Sequence, residues 1–406
     1  MPILQAPADE NDTMTTVMNK FKAISTYLGQ RDTVIVVDQP LYSRAKELTW
    51  ACPENFTNVT FLLGDLHILF NFLKTIGQHI DSAGLDDIWV EAGLFARNST
   101  EQMLDGKAYY RAIRGHVLAY EAIFKISWQM FLDWLQSTNR QLNLDTELHN
   151  LVEAFTDDGS DSPRCLHEFV LQLTNAMQRE NMNKLFAEFK RNFQNYPNFL
   201  LLSSYMDMVE ILLDFIRANR EGNWQLHLDA FAAMLPWMTV YDHTNYARWG
   251  PVYLADMTPL PTTAPVVYNE FAMGNFVVRS SNHRFSQVPI DQATEWVNRM
   301  CKLSNSIIGI TRNDTARDRF CTTWAERSHI SHATKVMMGL RDDDEAISTR
   351  NDALLSRQKS DEEAVERLSY EFDRFNVFQM RPSFPIQVDQ HRGPRLSMKI
   401  LDWCHC

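Results

Sequence analysis

The sequence predicts a predominantly α-helical protein that carries a small α/β element, and three observations point there. Gly 14 and Pro 15 are sparse for 406 residues while Met 18, Phe 24 and Trp 10 are plentiful, which favours long helices over many short strands. Two short apolar runs, TVIVVDQ and NVTFLLG, flank one helical segment, the pattern of a βαβ unit with parallel strands in a covered sheet. From Leu85 to Val267 the strand signal nearly vanishes and helical periodicities follow one another. A hydrophobic share of 45% with 22% charged residues is enough for a substantial core, and the length suits two or three domains.

The elements follow in order. Asp12 to Leu28 sets Met14, Val17, Met18, Phe21, Ile24 and Leu28 on one helical face, with Asp12 as the expected N-cap. TVIVVDQ then reads as a strand ending at Asp38, and Pro40 to Trp50 as a short helix. NVTFLLG is the second strand. The helix after it aligns Leu66, Leu69, Phe70, Leu73 and Ile76. In the helical block the longest pattern runs from Lys107 to Leu135, with others over 144–155, 166–193, 199–219, 224–237 and 244–254. Prolines at 251, 259, 261 and 265 are expected to end the block. GNFVVRSS reads as a strand, Ile290 to Lys302 as a helix, SIIGI as a short strand and Thr315 to Leu340 as a further helix. From Arg341 to Arg374 eleven Asp/Glu against six Lys/Arg predict a solvated helix or a disordered segment. The expected division is therefore 1–84 for the α/β core, 85–267 for the all-helical block, 268–340 for a return to the core and 341–406 for an acidic tail.

The formal net charge of -12 argues against gripping nucleic acid with a free basic arm. The stretch from Arg341 to Arg374 contributes five of those charges, and a locally basic stretch carries Arg279, Arg284, Arg299, Lys302, Arg312, Arg317 and Arg319. Six scattered cysteines without a C-x-x-C, the lack of a signal-peptide pattern at the N-terminus and polar interruptions in every apolar run predict an intracellular chain with no membrane partner.

Asp38 ends the first strand, where open parallel sheets place ligand-binding groups; the same residue reads equally as the cap of the Pro40 helix. His67 follows the second strand within Gly64-Asp65-Leu66-His67, so it belongs to the same edge. Asp65 reads as the N-cap of that helix, and the helix dipole is expected to keep the His67 imidazole neutral. Asp291 and Glu295 are four apart, on one helix face. Asp291 reads as a cap, and Glu295 as the carboxylate that would complete a Mg²⁺ site with Asp38. Asp207, Glu210 and Asp214 read as a solvated face, His329 and His332 have metal-compatible spacing without a third partner, and Cys404-His405-Cys406 is too short to close a zinc site. No phosphate-binding glycine loop, nucleophile elbow or HExxH occurs.

At these residues a resemblance enters. The phrases VIVVDQPLYSRAKELTW, LLGDLHILFNFLKTIGQHIDSAGL, LDGKAYYRAIRGHVLAYEAIF, SYMDMVEILLDFIRANREGNWQLHL and VVRSSNHRFSQVPIDQATEWVNRMCKLSNSIIGITR resemble a largely uncharacterised family of transposon-derived proteins in animal genomes, over residues 1–340. The arrangement is also distantly similar to DDE-type transposases with an RNase H-like core. That resemblance implies a partial RNase H-like core of few strands, interrupted by a large all-helical insertion. Met1 to Leu4 would match the end of the third strand, Asp38 the second acid, His67 a histidine kept by several such transposases, and Glu295 the third acid. Asp38 and Glu295 would hold Mg²⁺. The first acid would belong to a strand before Met1, so the resemblance implies a truncated and catalytically incomplete transposase. DNA, and further copies of the chain, are the partners it implies, with nuclear or cytoplasmic localisation. A non-catalytic helical interaction protein, or one that associates with DNA structurally, is the alternative.

Overall fold

A computed structural model describes residues 6–7, 10–81, 83–140, 182–279, 285–302 and 355–375, together with single positions between 171 and 175 and between 315 and 338. The described chain is mostly helical. Helix α1 (Asn11–Tyr27) leads into strand β1 (Thr33–Val37), helix α2 (Gln39–Ala51), a 3₁₀ turn and strand β2 (Val59–Leu63), and then helix α3 (Asp65–His79). The pair β1–β2 is parallel with Thr33 opposite Val59 and Val37 opposite Leu63, as a strand–helix–strand crossover demands. The N–H of Gly64 extends the ladder by donating to the Val37 carbonyl at 2.8 Å. Both chains therefore leave the sheet together, at its carboxyl edge.

Helices α4 (Leu85–Glu91), α5 (Arg97–Leu104), α6 (Tyr109–Ser137), α7 (Met182–Phe193), α8 (Pro197–Glu221), α9 (Trp224–Val240) and α10 (Thr244–Met257) follow. The prolines do not end this run. Pro251 lies inside α10, and the others start two short helices, α11 (Leu260–Thr263) and α12 (Pro265–Ala272), where a missing N–H costs nothing. The expected strand in GNFVVRSS shrinks to β3 (Val278–Arg279), paired antiparallel with β4 (Gln287–Val288). Helix α13 (Ile290–Lys302) starts where Pro289 predicted, and α14 (Leu355–Arg374) forms in the acidic stretch. It is not solvated all round, since Ala364, Leu368 and Phe372 are buried at i, i+4 and i+8. The expected SIIGI strand and the N-terminal Met1–Leu4 strand lie outside the described residues.

Contacts divide the chain into two compact units. The first comprises 1–81, 101–112 and 208–360, and the second 82–100, 113–207 and 361–406. This cut crosses the helical block that the sequence reading kept whole, because α9 and α10 pack with the strands' helices. In the first unit, α1 covers β1, α2 covers β2, α9 packs on α3, and α13 touches both α3 and β1. Tyr42 on α2 sits edge-on to Tyr253 and Trp249 of α10 and donates to Asp256 at 2.8 Å. Glycine is required at position 77, where a Cβ would fall 1.9 Å from the Leu104 carbonyl oxygen. The second unit has an aromatic core, in which Phe131, Leu135, Met182, Phe189 and Phe199 are buried beneath Trp128, Trp134, Phe186 and Phe193. Among the described residues no helix is long and apolar enough to cross a membrane.

Candidate functional site

The carboxyl edge of β1–β2 gathers polar groups from distant parts of the sequence. Asp38 caps α2, its Oδ1 accepting from the Leu41 N–H at 3.2 Å, so the capping reading of this residue holds. At the end of β2 the cap position of α3 belongs to Gly64, which has no side chain to offer. The missing cap arrives from α13. Asp291 accepts from Leu66 N–H at 3.1 Å and from His67 N–H at 3.2 Å, across 225 and 224 residues of sequence. It thereby satisfies two of the orphan donors in the first turn of α3 and places a carboxylate at the positive end of that helix. Its expected role as cap of its own helix reduces to one bond from Gln292 N–H at 3.1 Å. Gly64 is needed for this approach, since a Cβ there would fall 2.5 Å from Asp291 Oδ2.

The same Asp291 carboxylate meets His67 Nδ1 at 3.0 Å. The hydrogen bond from Asp291 raises the His67 pKa above its ordinary value; burial opposes it, and the charges of Asp291, Asp38 and Glu295 add to the rise. This reverses the sequence expectation of a neutral imidazole. The helix dipole does disfavour a proton there, but a carboxylate placed between the ring and the helix end outweighs it. Asp38, Asp291 and Glu295 thus act together on one ring.

His67 lines a cleft of about 410 Å³ with Asp38, Pro40, Asn71, His243 and Tyr246. Asn71 donates to the His67 carbonyl at 2.8 Å, one turn along α3. The facing wall is the turn between α9 and α10, where Asp242 adopts a left-handed φ of 59°. His243 in that wall contacts Gln78 at 3.1 Å and has its pKa lowered, first by burial and then by Lys74, against the pull of Asp242. The cleft therefore holds two histidines pushed in opposite directions, His67 upward by its carboxylate neighbours and His243 downward by burial. Asp65, expected as the cap of α3, instead turns inward and is 5% exposed, with the His227 ring of α9 3.7 Å away.

Among the expected site residues, Asp38 and His67 come together and Asp291 joins them. Glu295, one helical turn along α13, is exposed and reaches His67 only through its charge. The residues do not assemble a divalent-cation site as placed. Asp38 and Asp291 spend hydrogen-bonding capacity on helix N-termini, and among the described residues no three His, Cys, Asp or Glu are set to hold a metal. Asp207 pairs with Lys190 at 2.9 Å as a surface group in the second unit, consistent with the solvated-face reading. His329 is exposed, whereas His332 and Cys404-His405-Cys406 lie outside the described residues, as do Arg284, Arg312, Arg317 and Arg319. Sequence reasoning missed His227, His243, Asn71 and Tyr246. The signal available for His227 was a lone imidazole inside an apolar helix, LHLDAFAAML.

A mostly helical protein with one parallel strand pair and a carboxylate–histidine edge is the class that fold and site define. The chain belongs to a family described as a domain of unknown function (DUF8702), matched over residues 1–385. No curated protein and no solved structure matches it.

Proposed function

We propose that this chain is a transposon-derived protein related to DDE-type transposases, with an RNase H-like half-site that serves DNA association while lacking strand-cleaving activity of its own. One observation carries the reading. A parallel strand pair delivers Asp38 and His67 to one edge, and a helix more than 220 residues later brings Asp291 there, with Glu295 one turn beyond. A late helix that carries the third acid back to the first strands after a helical insertion is the order that the resemblance implies. Cleavage is not expected of this chain, because Asp38 and Asp291 are engaged as helix caps. The alternative, a non-catalytic helical interaction protein without DNA affinity, draws support from the net charge of -12.

The test is fluorescence anisotropy with a labelled duplex across a salt series, on the full chain, with a nicking assay in Mg²⁺ and Mn²⁺ alongside. The expected result is salt-sensitive binding that weakens in an Arg279→Ala/Arg299→Ala variant, and no nicking. Nicking that disappears in both Asp38→Ala and Glu295→Ala would establish a working enzyme instead. Binding no stronger than that of an unrelated acidic protein would remove the DNA reading and leave the interaction protein.

A further inference from the structure

Behind the sheet edge lies a polar cluster that the cleft does not use. Asp65 is the first residue of α3 and His227 lies on α9; both side chains are almost wholly buried, at 7% and 1% exposed. Their closest approach, Asp65 Oδ2 to His227 Nδ1 at 3.7 Å, is too long for a hydrogen bond. Neither Asp65 Oδ1 nor His227 Nδ1 has a partner within the protein. A cavity of about 10 Å³ opens beside them, lined by both residues and by Leu62, Trp224, Tyr253 and Phe276. That volume suits one water molecule, and a buried water needs at least two polar partners. On the far side of the ring, His227 Nε2 faces the Tyr253 hydroxyl at 3.5 Å. Trp224 stacks on the imidazole with ring centroids 5.1 Å apart.

We propose that Asp65 and His227 hold one internal water between them as a neutral hydrogen-bonded pair, and that this buried water site positions the first turn of α3 and, through Asp291, the His67 imidazole. The chain of bonds closes without a net charge. The Asp65 carboxyl O–H donates to the water, the water donates to His227 Nδ1, and the His227 Nε2–H points at the Tyr253 oxygen. Burial favours this state from both ends, because it pushes the Asp65 carboxyl well above the usual range, helped by Asp291, and holds His227 down to about 3. The titratable groups around Asp65 are Asp291 on α13, Tyr246 and Tyr253 on α10, Tyr109 on α6 and His67 on α3 itself. Burial and the Asp291 charge are what shift Asp65, and both favour its neutral acid. A neutral Asp65 removes the repulsion that an ionised Asp65 would exert on Asp291 at the first turn of α3. Asp65 and His227 are thus positioning residues for His67, and this holds whether or not the cleft meets DNA.

A crystal structure of the full chain, together with the NMR titration of the His67 ring, tests the proposal. The expected result is one water within hydrogen-bond distance of Asp65 Oδ1 and His227 Nδ1. Asp65→Asn mimics the neutral acid and is expected to keep the fold and the raised His67 midpoint. His227→Phe removes the acceptor and fills the space, and the His67 midpoint is expected to fall toward 6.5. His227→Gln, whose amide oxygen can accept from the same water, is expected to restore it. A dry cavity, an Asp65→Asn protein that fails to fold, or a folded His227→Phe protein with an unmoved His67 midpoint would each overturn the proposal.

Discussion

Two histidines, one from each unit, show how an interior differs from a site. In the second unit His116 is fully buried against Trp89 and meets the Tyr205 hydroxyl at 2.9 Å, with burial alone lowering its pKa to about 3. In the first unit His67 is half-buried, yet its pKa rises, chiefly through its hydrogen bond to Asp291 and also through the charges of Asp291, Asp38 and Glu295. The first imidazole is packing with one hydrogen bond. The second faces a cleft and is hydrogen-bonded to a carboxylate, which favours its protonated form. Desolvation is common to both places, so what separates an interior from a site here is the gathering of carboxylates at the strand ends, where helix N-termini can support them.

The comparison can be broken by asking whether each region fails in its own way. Phe131→Ala should have the largest effect, about 3–5 kcal/mol, since the ring is fully buried among Trp128, Trp134, Phe186 and Phe189. Urea unfolding measures the loss, and the His67 midpoint by NMR should stay where it is; a shift there would mean that the two regions are coupled. Asp291→Ala comes next at about 2–3 kcal/mol, because α3 loses the acceptor for two N–H groups and His67 loses its partner.

The pH dependence of that second variant carries a definite sign. The folded His67 pKa lies above its unfolded value of 6.5, so the pair's contribution is full below pH 6.5 and is lost as pH rises through the folded value. The stability gap between wild type and Asp291→Ala should therefore narrow with rising pH, keeping only the capping share; a gap that widened would contradict the assignment. Asp38→Ala should cost about 1 kcal/mol through loss of the α2 cap and should lower the His67 midpoint. Glu295→Gln, an exposed change, should stay within about 0.5 kcal/mol and move the same midpoint less than Asp38→Ala does, which thermal melts and the NMR titration together would check.

Much of the architecture was legible because the relevant signals are local. Both strands and the helices α1, α2, α3, α6 and α13 appear within a few residues of where periodicity and flanking prolines placed them. Caps were less legible. Asp12 lies in the first turn of α1 behind an N-cap at Glu10, and Asp65 lies inside α3 behind Gly64, since any short polar residue near a helix start competes for the same part. The buried stripe of α14 was hidden in a segment rich in Glu, Ser and Arg, where three apolar positions are enough once there is a surface to meet them.

The sequence by itself determined the helical majority, the strand–helix–strand start and the arrival of Asp38 and His67 at one edge, because strand direction and crossover length follow from patterns a few residues long. Tertiary structure alone decided that Asp291 would complete α3 and raise the His67 pKa, and that Asp65 would face His227 in the interior. Those outcomes depend on which helix reaches an N-terminus left without a capping side chain by Gly64, and on a balance of burial against nearby charge. Both are set by distances between residues more than 160 positions apart.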